Sequence, residues 1–262
     1  MTTVLVERTG ETAVVTLNRP ERLNAFNGEQ LDELTGVLDS LAADRGCRVV
    51  ILTGAGRGFC AGADISSSES AGPRTTHTAW ALQKRFSALT LRLRSMTQPV
   101  IAAVNGPAAG GGLALVLASD IRLAAASARF NVAFIRVGFS GCDMGTGWLL
   151  PRIVGAGRAH ELLLTGRMVE ADEAERMGLV LEVVPDGTVV DRALQEAALI
   201  VRNTPLGVAM TKEVMWADLE IPGLAAAIDL ENRTQVLTSL TDDAHEAMAA
   251  FLERRPPRYG NT

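Results

Sequence analysis

Two short glycine-bearing stretches constrain this chain more than any other feature of its sequence. Residues 59–65 read FCAGADI and residues 104–113 read VNGPAAGGGL. Each stretch follows an apolar run typical of a buried strand and leads into a segment typical of a helix. The first N–H groups of a helix lack intrahelical partners, and the helix dipole adds partial positive charge there. Two such turns brought together predict a site where two N–H groups hold one oxyanion, an arrangement suited to thioester chemistry.

Composition narrows the class of protein further. The chain has 262 residues, of which 47% are apolar and 4% aromatic, and this balance suits one large domain with a tightly packed core. Its net charge of −5 provides no electrostatic footprint for nucleic acid. No apolar run is long enough to span a membrane, and the first residues lack the layout of a signal peptide. Three widely spaced cysteines form neither a disulfide framework nor a metal pattern. We therefore expect a cytoplasmic protein that binds no nucleic acid, membrane or metal.

Strand and helix patterns alternate along the first part of the chain. Two β-rich runs flanking Gly10 predict a hairpin. Leucines at helical spacing predict a helix over 29–43, with Asn27 as its N-cap. The other expected strands are 48–53, 100–104 and 121–125, and the other expected helices are 80–95 and a segment ending near 119. This order predicts an α/β fold with parallel strand pairing.

The last part of the chain has a different pattern. Beyond an expected strand at 180–184 the sequence is almost wholly helical, with breaks at Pro205, at Pro222 and near Thr241. Its apolar side chains exceed what a lone helical tail can bury. We expect a core, residues 1–200, that carries the site, and a helical region, residues 201–262, that packs on the core and on neighbouring subunits.

One segment beside the first glycine stretch lacks any periodicity. Residues 66–76 are rich in Ser, Gly and Pro, which predicts a mobile loop. Its Glu69 is a candidate for a polar group that swings toward the site.

Further motifs allow a family to be named. Glycine turns also bind phosphates, but the chain has no GxxxxGK[ST] motif, and its three successive glycines do not form GxGxxG. Other short motifs are SDIR at 119–122, LLTGR at 163–167, AERMGLV at 174–180, and TPL and TKE within 204–213. Together with the glycine stretches, they resemble the enoyl-CoA hydratase/isomerase (crotonase) superfamily over nearly the whole chain.

The resemblance implies a fold, a substrate and a set of site residues. The fold would be α/β, a crotonase-like spiral of ββα units with a helical C-terminal region that trimerises, giving a homotrimer or a dimer of trimers. The substrate would be an acyl-CoA thioester, with no cofactor other than the coenzyme A that the substrate itself carries. The N–H groups of Ala63 and Gly111 would form the oxyanion hole. The residues expected to bind substrate are Arg22, Leu23, Ala61, Asp64, Ile65, Ala114, Phe134 and Phe251.

Phe251 has two interpretations at this stage. By the resemblance, its ring would approach the adenine of a neighbouring subunit's ligand. By its position on an amphipathic helix, it would make an ordinary core contact instead.

The chain differs from the family at both positions whose side chains catalyse hydration. Hydratases of the family place one glutamate two residues after the third glycine and another four residues after the phenylalanine of an AxF stretch, which is Phe130 here. These two positions are Ala114 and Phe134 in this chain. Adding water to an enoyl double bond needs one group to activate the water and another to supply a proton. Ala114 and Phe134 can do neither, so the usual hydratase mechanism does not carry over.

Asp143 is the remaining candidate for acid–base chemistry. The sequence from Asp143 to Gly155 resembles the dienoyl-CoA isomerase branch, where an aspartate shuttles a proton, and a dehalogenase branch places a nucleophilic aspartate similarly. The alternative is that Asp143 only caps the following helix. The preferred hypothesis is an acyl-CoA enzyme with isomerase-like proton transfer by Asp143. Two others remain open: a non-catalytic acyl-CoA binder, and a hydrolase or dehalogenase with Asp143 as nucleophile.

Overall fold

Two β-sheets organise the chain in the computed structural model, which describes residues 2–67 and 75–260. The strands are β1 Val4–Thr9, β2 Thr12–Leu17, β3 Val49–Gly54, β4 Val100–Val104, β5 Ala108–Ala109, β6 Ile121–Ala125, β7 Arg129–Asn131, β8 Val169–Glu170 and β9 Glu182–Val184. The larger sheet has the order β1-β2-β3-β4-β6-β9, and the smaller has the order β5-β7-β8. In the larger sheet β1 and β2 are antiparallel and all other pairs are parallel. The predicted α/β fold with parallel pairing is confirmed.

Helices fill most of the remaining chain. They are α1 Gly28–Ala43, α2 Thr76–Ser95, α3 Gly111–Ala118, α4 Ala133–Arg136, α5 Thr146–Val154, α6 Ala156–Thr165, α7 Ala171–Arg176, α8 Val189–Val201, α9 Pro205–Asp218, α10 Leu224–Ser239 and α11 Asp242–Glu253. The predicted loop at 66–76, including Glu69, lies mostly outside the described residues. Among the helices of the described ranges, none is both long and apolar enough to cross a membrane.

The larger sheet is covered on both faces. All six residues of β3 are buried, as in a central strand of a parallel sheet. Val50 and Leu52 face a core shared with α1, α2 and α3, whereas Val49 and Ile51 face the opposite side. On that opposite side α8 packs through small and branched residues such as Ala193. The sheet therefore forms a rigid layer between helices. The C-terminal ends of β3 and β4 lead into the two glycine stretches.

The predicted hairpin and the predicted N-cap of the first helix are confirmed. β1 and β2 form a hairpin around Gly10, which has a φ of 59°, a value that glycine adopts without strain. The side chain of Asn27 accepts a hydrogen bond from Gln30 N at 2.9 Å and caps α1. The four leucines of α1 are all buried against the sheet.

Two elements begin more than one residue away from their predicted starts. Helix α2 begins at Thr76, one turn earlier than predicted, because the Thr75 and Thr78 side chains form a reciprocal capping box. Strand β9 begins at Glu182, two residues later than predicted, because Leu179 N and Val180 N both bond to Ala174 O at the end of α7.

The C-terminal helices are broken where the sequence predicts. Helix α9 begins at Pro205, α10 follows Gly223, and α11 is capped by Thr241. Helix α9 is anchored to the sheet by Lys212, whose ammonium lies 2.8 Å from the Asp120 carboxylate. Helix α10, in contrast, has no buried residue. This region therefore presents an apolar surface that the described part of the chain leaves uncovered.

Candidate active site

The two glycine stretches pack directly against each other. Gly62 has a φ of 92°, and a Cβ added to it would lie 2.9 Å from Ala109 O and 3.2 Å from Gly111 N. A Cβ added to Gly112 would lie only 2.0 Å from Cys60 O. Only glycine permits such a close approach of backbone to backbone. The contact places the residue after Gly62 beside the first turn of α3.

The N–H group of Ala63 points away from the neighbouring residue Phe26. Phe26 and Ala63 form an isolated parallel bridge, in which Phe26 N donates to Gly62 O at 2.7 Å and Asp64 N donates to Phe26 O at 2.8 Å. In such a bridge the flanking residues supply the hydrogen bonds, so the N–H of the central residue points to the other side. Within the described part of the chain, Ala63 N has no acceptor, and Ala63 is exposed.

Gly111 offers a second free N–H group. It is the first residue of α3, after Gly110, whose N–H donates to Asn131 O at 3.1 Å and whose carbonyl accepts from Ala114 N at 3.0 Å. The first N–H groups of a helix have no intrahelical acceptor, and the dipole makes this end electropositive. No acceptor among the described residues takes up the Gly111 N–H. Two free donors thus lie on adjoining turns, an arrangement that suits a developing oxyanion.

Asp64 fixes the loop that carries Ala63. Its carboxylate accepts hydrogen bonds from Ser66 N at 3.1 Å and from the Ser66 hydroxyl at 2.6 Å, and it pairs with Arg19 at 3.1 Å. The hydrogen bond from Ser66, followed by that from Arg19, holds the pKa of Asp64 below its ordinary value. A carboxylate held in this way is a poor proton acceptor. Ile65, the next residue, is 67% exposed beside it.

The segment that contains Arg22 and Leu23 lies against Ala61, and together they form one surface. Leu23 and Asn24 both have left-handed backbone conformations, and Ala61 N donates to Leu23 O at 3.0 Å. The buried Asn24 side chain donates to Ala55 O at 3.0 Å and to Gly58 O at 2.8 Å. Arg22 ends the preceding turn and is exposed. Asn24 could not be identified from the sequence, since its hydrogen-bond partners are distant along the chain.

Apolar groups occupy both hydratase glutamate positions. Ala114 is fully buried in the first turns of α3. Phe134 is half-buried on α4, and its ring lies 3.4 Å from the position that a Cβ on Gly110 would take. No carboxylate is therefore available at either position beside the start of α3.

Asp143 lies in the loop between α4 and α5, and its carboxylate does not cap α5. The N-cap of α5 is Gly145, with a φ of 86° and no side-chain cap. The Asp143 Oδ1 atom instead accepts from Met144 N at 2.6 Å and from the Gln83 side chain. Capping as the role of this side chain is therefore wrong, and the half-buried carboxylate has a different set of partners.

Met144 brings the Asp143 loop to the glycine stretches. Its φ is 47°, a left-handed value that costs energy for a residue other than glycine. Its Sδ lies 3.2 Å from the position that a Cβ on Gly111 would take. The loop with the candidate carboxylate thus adjoins the turn with the free Gly111 N–H.

Phe251 is separate from these groups within one chain. It lies on α11 and is 82% exposed, which excludes the core contact considered from the sequence.

Comparisons with known proteins indicate one family along nearly the whole chain. The family described as Enoyl-CoA hydratase/isomerase matches residues 7–262. The chain is 43% identical to a Mycobacterium bovis protein named "Probable enoyl-CoA hydratase echA12", over 98% of this chain and 92% of the relative. It is 39% identical to the 1,2-epoxyphenylacetyl-CoA isomerase of Escherichia coli, over 94% of this chain and 93% of the relative. The crystal structure of an enoyl-CoA hydratase from Bacillus anthracis superposes with a TM-score of 0.94 at 33% identity, with both chains covered in full.

Proposed function

The chain belongs to the enoyl-CoA hydratase/isomerase family, whose members act on acyl-CoA, and we propose that it isomerises an acyl-CoA thioester by moving a proton. The thioester carbonyl binds the N–H groups of Ala63 and Gly111, and an enolate forms there. Asp143 removes the proton at one carbon and returns it at another. The reaction needs no cofactor beyond the coenzyme A of the substrate, since a proton shift is neither a redox nor a hydrolytic step.

The contact between Gly62 and Gly111 is the observation that carries this proposal. It supports a pair of free donors on adjoining turns, aimed by backbone geometry and needing no reorganisation during the reaction. Stabilising an enolate oxygen in this way acidifies the neighbouring C–H bond. A single correctly placed base then suffices for the proton transfer.

The apolar residues at the two glutamate positions favour isomerisation over hydration. With Ala114 buried and Phe134 covering Gly110, no side chain at these positions activates water. Asp64 is engaged by Arg19 and Ser66. Asp143 is the carboxylate on the loop that adjoins Gly111 through Met144. The E. coli relative named as an isomerase supports the same class of chemistry.

The substrate's coenzyme A follows the surface formed by Arg22, Leu23 and Ala61, while Ile65, Ala114 and Phe134 border the acyl group. The joining of Leu23 and Ala61 by a backbone hydrogen bond supports one continuous surface at this place.

The oligomer we propose is a homotrimer, alone or as a dimer of trimers, assembled through the C-terminal helices. The large exposed apolar side chains of α10 and α11 support it; they are Leu224, Ile228, Val236, Leu237, Met248, Phe251 and Leu252. A surface of this kind is unfavourable in water and is typical of an interface.

Product mass and double-bond position together separate the competing functions. A panel of enoyl-CoA and dienoyl-CoA esters is incubated with the enzyme in water enriched in oxygen-18, and the products are analysed by mass spectrometry for mass and by NMR for the position of the double bond. The proposal predicts a product of unchanged mass with a shifted double bond. Gain of labelled water across the double bond would identify a hydratase, free labelled carboxylic acid would identify a hydrolase, and binding without conversion would identify a binder.

A further inference from the structure

We propose that Gln83 is a positioning residue that holds the Asp143 carboxylate by one oxygen, so that the proton travels on the other. This inference rests on the proposed role of Asp143 as the base. It adds a residue of α2 to a site otherwise built from the glycine stretches and the loop before α5.

Both donors to the Asp143 carboxylate contact the same oxygen. The Gln83 Nε2 and the Met144 backbone N donate to Oδ1. Within the described part of the chain no donor reaches Oδ2. A carboxylate bound in this way cannot rotate freely, and its free oxygen remains available to a substrate proton. Gln83 is largely exposed and Asp143 is half-buried, so a ligand can approach the pair.

The same face of α2 holds the backbone beside the carboxylate. Thr90 lies seven residues after Gln83, hence on the same side of the helix two turns later. Its buried hydroxyl donates to Met144 O at 2.8 Å. Helix α2 therefore contacts the carboxylate through Gln83 and the following peptide through Thr90.

The opposite side of the loop is held by α5. The Thr146 hydroxyl accepts from Asp143 N at 3.1 Å and donates to Gly141 O at 2.7 Å, and Thr146 N donates to Asp143 O at 2.8 Å. These hydrogen bonds, with that from Thr90 to Met144 O, fix the backbone around Met144. They explain how Met144 keeps its left-handed conformation. With the backbone fixed, the remaining freedom of Asp143 is the rotation of its side chain, and Gln83 restricts that rotation.

The neutral amide of Gln83 is a more suitable donor to a carboxylate that acts as a base than a cationic side chain would be. A neutral donor orients the carboxylate and stabilises its charged form without the strong attraction of an ion pair. A lysine or arginine in place of Gln83 would instead hold the carboxylate in an ion pair.

The test replaces the donor and keeps the length of the side chain. In Gln83→Met, we expect kcat for the isomerised acyl-CoA to fall by roughly 10-fold to 100-fold, as expected for loss of a hydrogen bond to a charged group, with KM changed less than about twofold. Gln195→Met, at an exposed position of α8, is the matched control and should keep both constants. Thermal unfolding of each variant checks that the fold is retained.

A double-variant cycle distinguishes this inference from the proposed function. In an Asp143→Asn background, Gln83→Met should cause no further loss in the rate of substrate deuterium exchange, because Gln83 acts through the carboxylate. A normal kcat in Gln83→Met, with Asp143→Asn inactive, would overturn the role of Gln83 and leave that of Asp143 intact. A further loss in the double variant, or a rise in KM that accounts for the defect, would equally overturn it. Full activity of Asp143→Asn would refute the proposed function and this inference together.

Discussion

Gly62 lies against Gly111, so close that a Cβ on Gly62 would be 3.2 Å from the Gly111 nitrogen. The two residues come from stretches that are distant in sequence, and their contact sets the separation of the Ala63 and Gly111 N–H groups. The geometry of the candidate oxyanion site therefore depends on the absence of a side chain at this point.

The first prediction concerns this contact. We expect Gly62→Ala to lose acyl-CoA turnover and about 2 kcal/mol or more of stability, since alanine is strained at a φ of 92° and its Cβ meets Ala109 O. Gly187→Ala is the control, because Gly187 has a φ of 82° and open space around its Cβ position. Turnover assays and urea unfolding measure both effects. Equal losses in the two variants would show that the contact is unimportant.

The second prediction concerns the anchor of α9. The Lys212 ammonium contacts the Asp120 carboxylate at 2.8 Å and also donates to Leu93 O and Gln98 O. Burial lowers the pKa of Lys212, and the charge of Asp120 opposes this effect. Lys212→Met leaves the Asp120 carboxylate, whose side chain is only 11% exposed, without its ammonium partner, which should cost about 3–5 kcal/mol in urea unfolding.

An exposed lysine supplies the comparison for this anchor. Lys84→Met should change the unfolding free energy by less than about 0.5 kcal/mol. A Lys212→Met variant as stable as the parent would mean that the ion pair does not anchor α9.

The third prediction concerns acid stability. The pKa of Asp64 is lower in the folded chain than in the unfolded chain, chiefly through the Ser66 hydroxyl. The resulting stability is complete above the unfolded pKa and is lost as the pH falls through the folded pKa. Ser66→Ala should therefore cost about 1 kcal/mol at pH 7, and this cost should shrink in acid. Ser67→Ala is the control, and a cost that stays constant with pH would contradict the assignment.

The fourth prediction concerns the C-terminal helices. Leu237, on α10, is 62% exposed, and we expect Leu237→Asp to convert the proposed trimer into monomers because the charge would be buried at the interface. Leu181 is equally exposed but lies before β9, so Leu181→Asp should leave the assembly unchanged. Light scattering after gel filtration gives the molar mass. A parent protein that is already monomeric would contradict the proposed assembly.

Local patterns predicted most of the fold. The leucine spacing of α1 and the turn at Gly10 define their elements because their determinants lie within a few residues of one another. The predicted start of α2 was wrong by one turn. The Thr75–Thr78 capping box has a threonine at the third helical residue, where the usual sequence pattern has Glu or Gln. The glycine stretches predicted where free N–H groups would occur, and the packing of Gly62 on Gly111 then supplied their proximity.

Side-chain contacts between distant segments could not be predicted. Gln83 meets Asp143, and Lys212 meets Asp120, only because the helices dock on the sheet in a particular register. Polar residues on a helix surface are usually solvated, so the sequence around Gln83 carries no sign of its partner. The interpretation of Asp143 as a cap was wrong because α5 begins with Gly145 as its N-cap, and the Asp143 carboxylate accepts a hydrogen bond from Gln83 on α2 instead.

The most direct test of the central claim is proton exchange at the substrate carbon. Wild-type enzyme, Asp143→Asn and the exposed control Asp172→Asn are incubated with the same acyl-CoA in deuterated water, and deuterium in the recovered thioester is measured by mass spectrometry. If Asp143 moves the proton of an enolate held by Ala63 and Gly111, wild type and Asp172→Asn incorporate deuterium and Asp143→Asn does so at least about 100-fold more slowly. Equal incorporation by all three proteins would contradict the account.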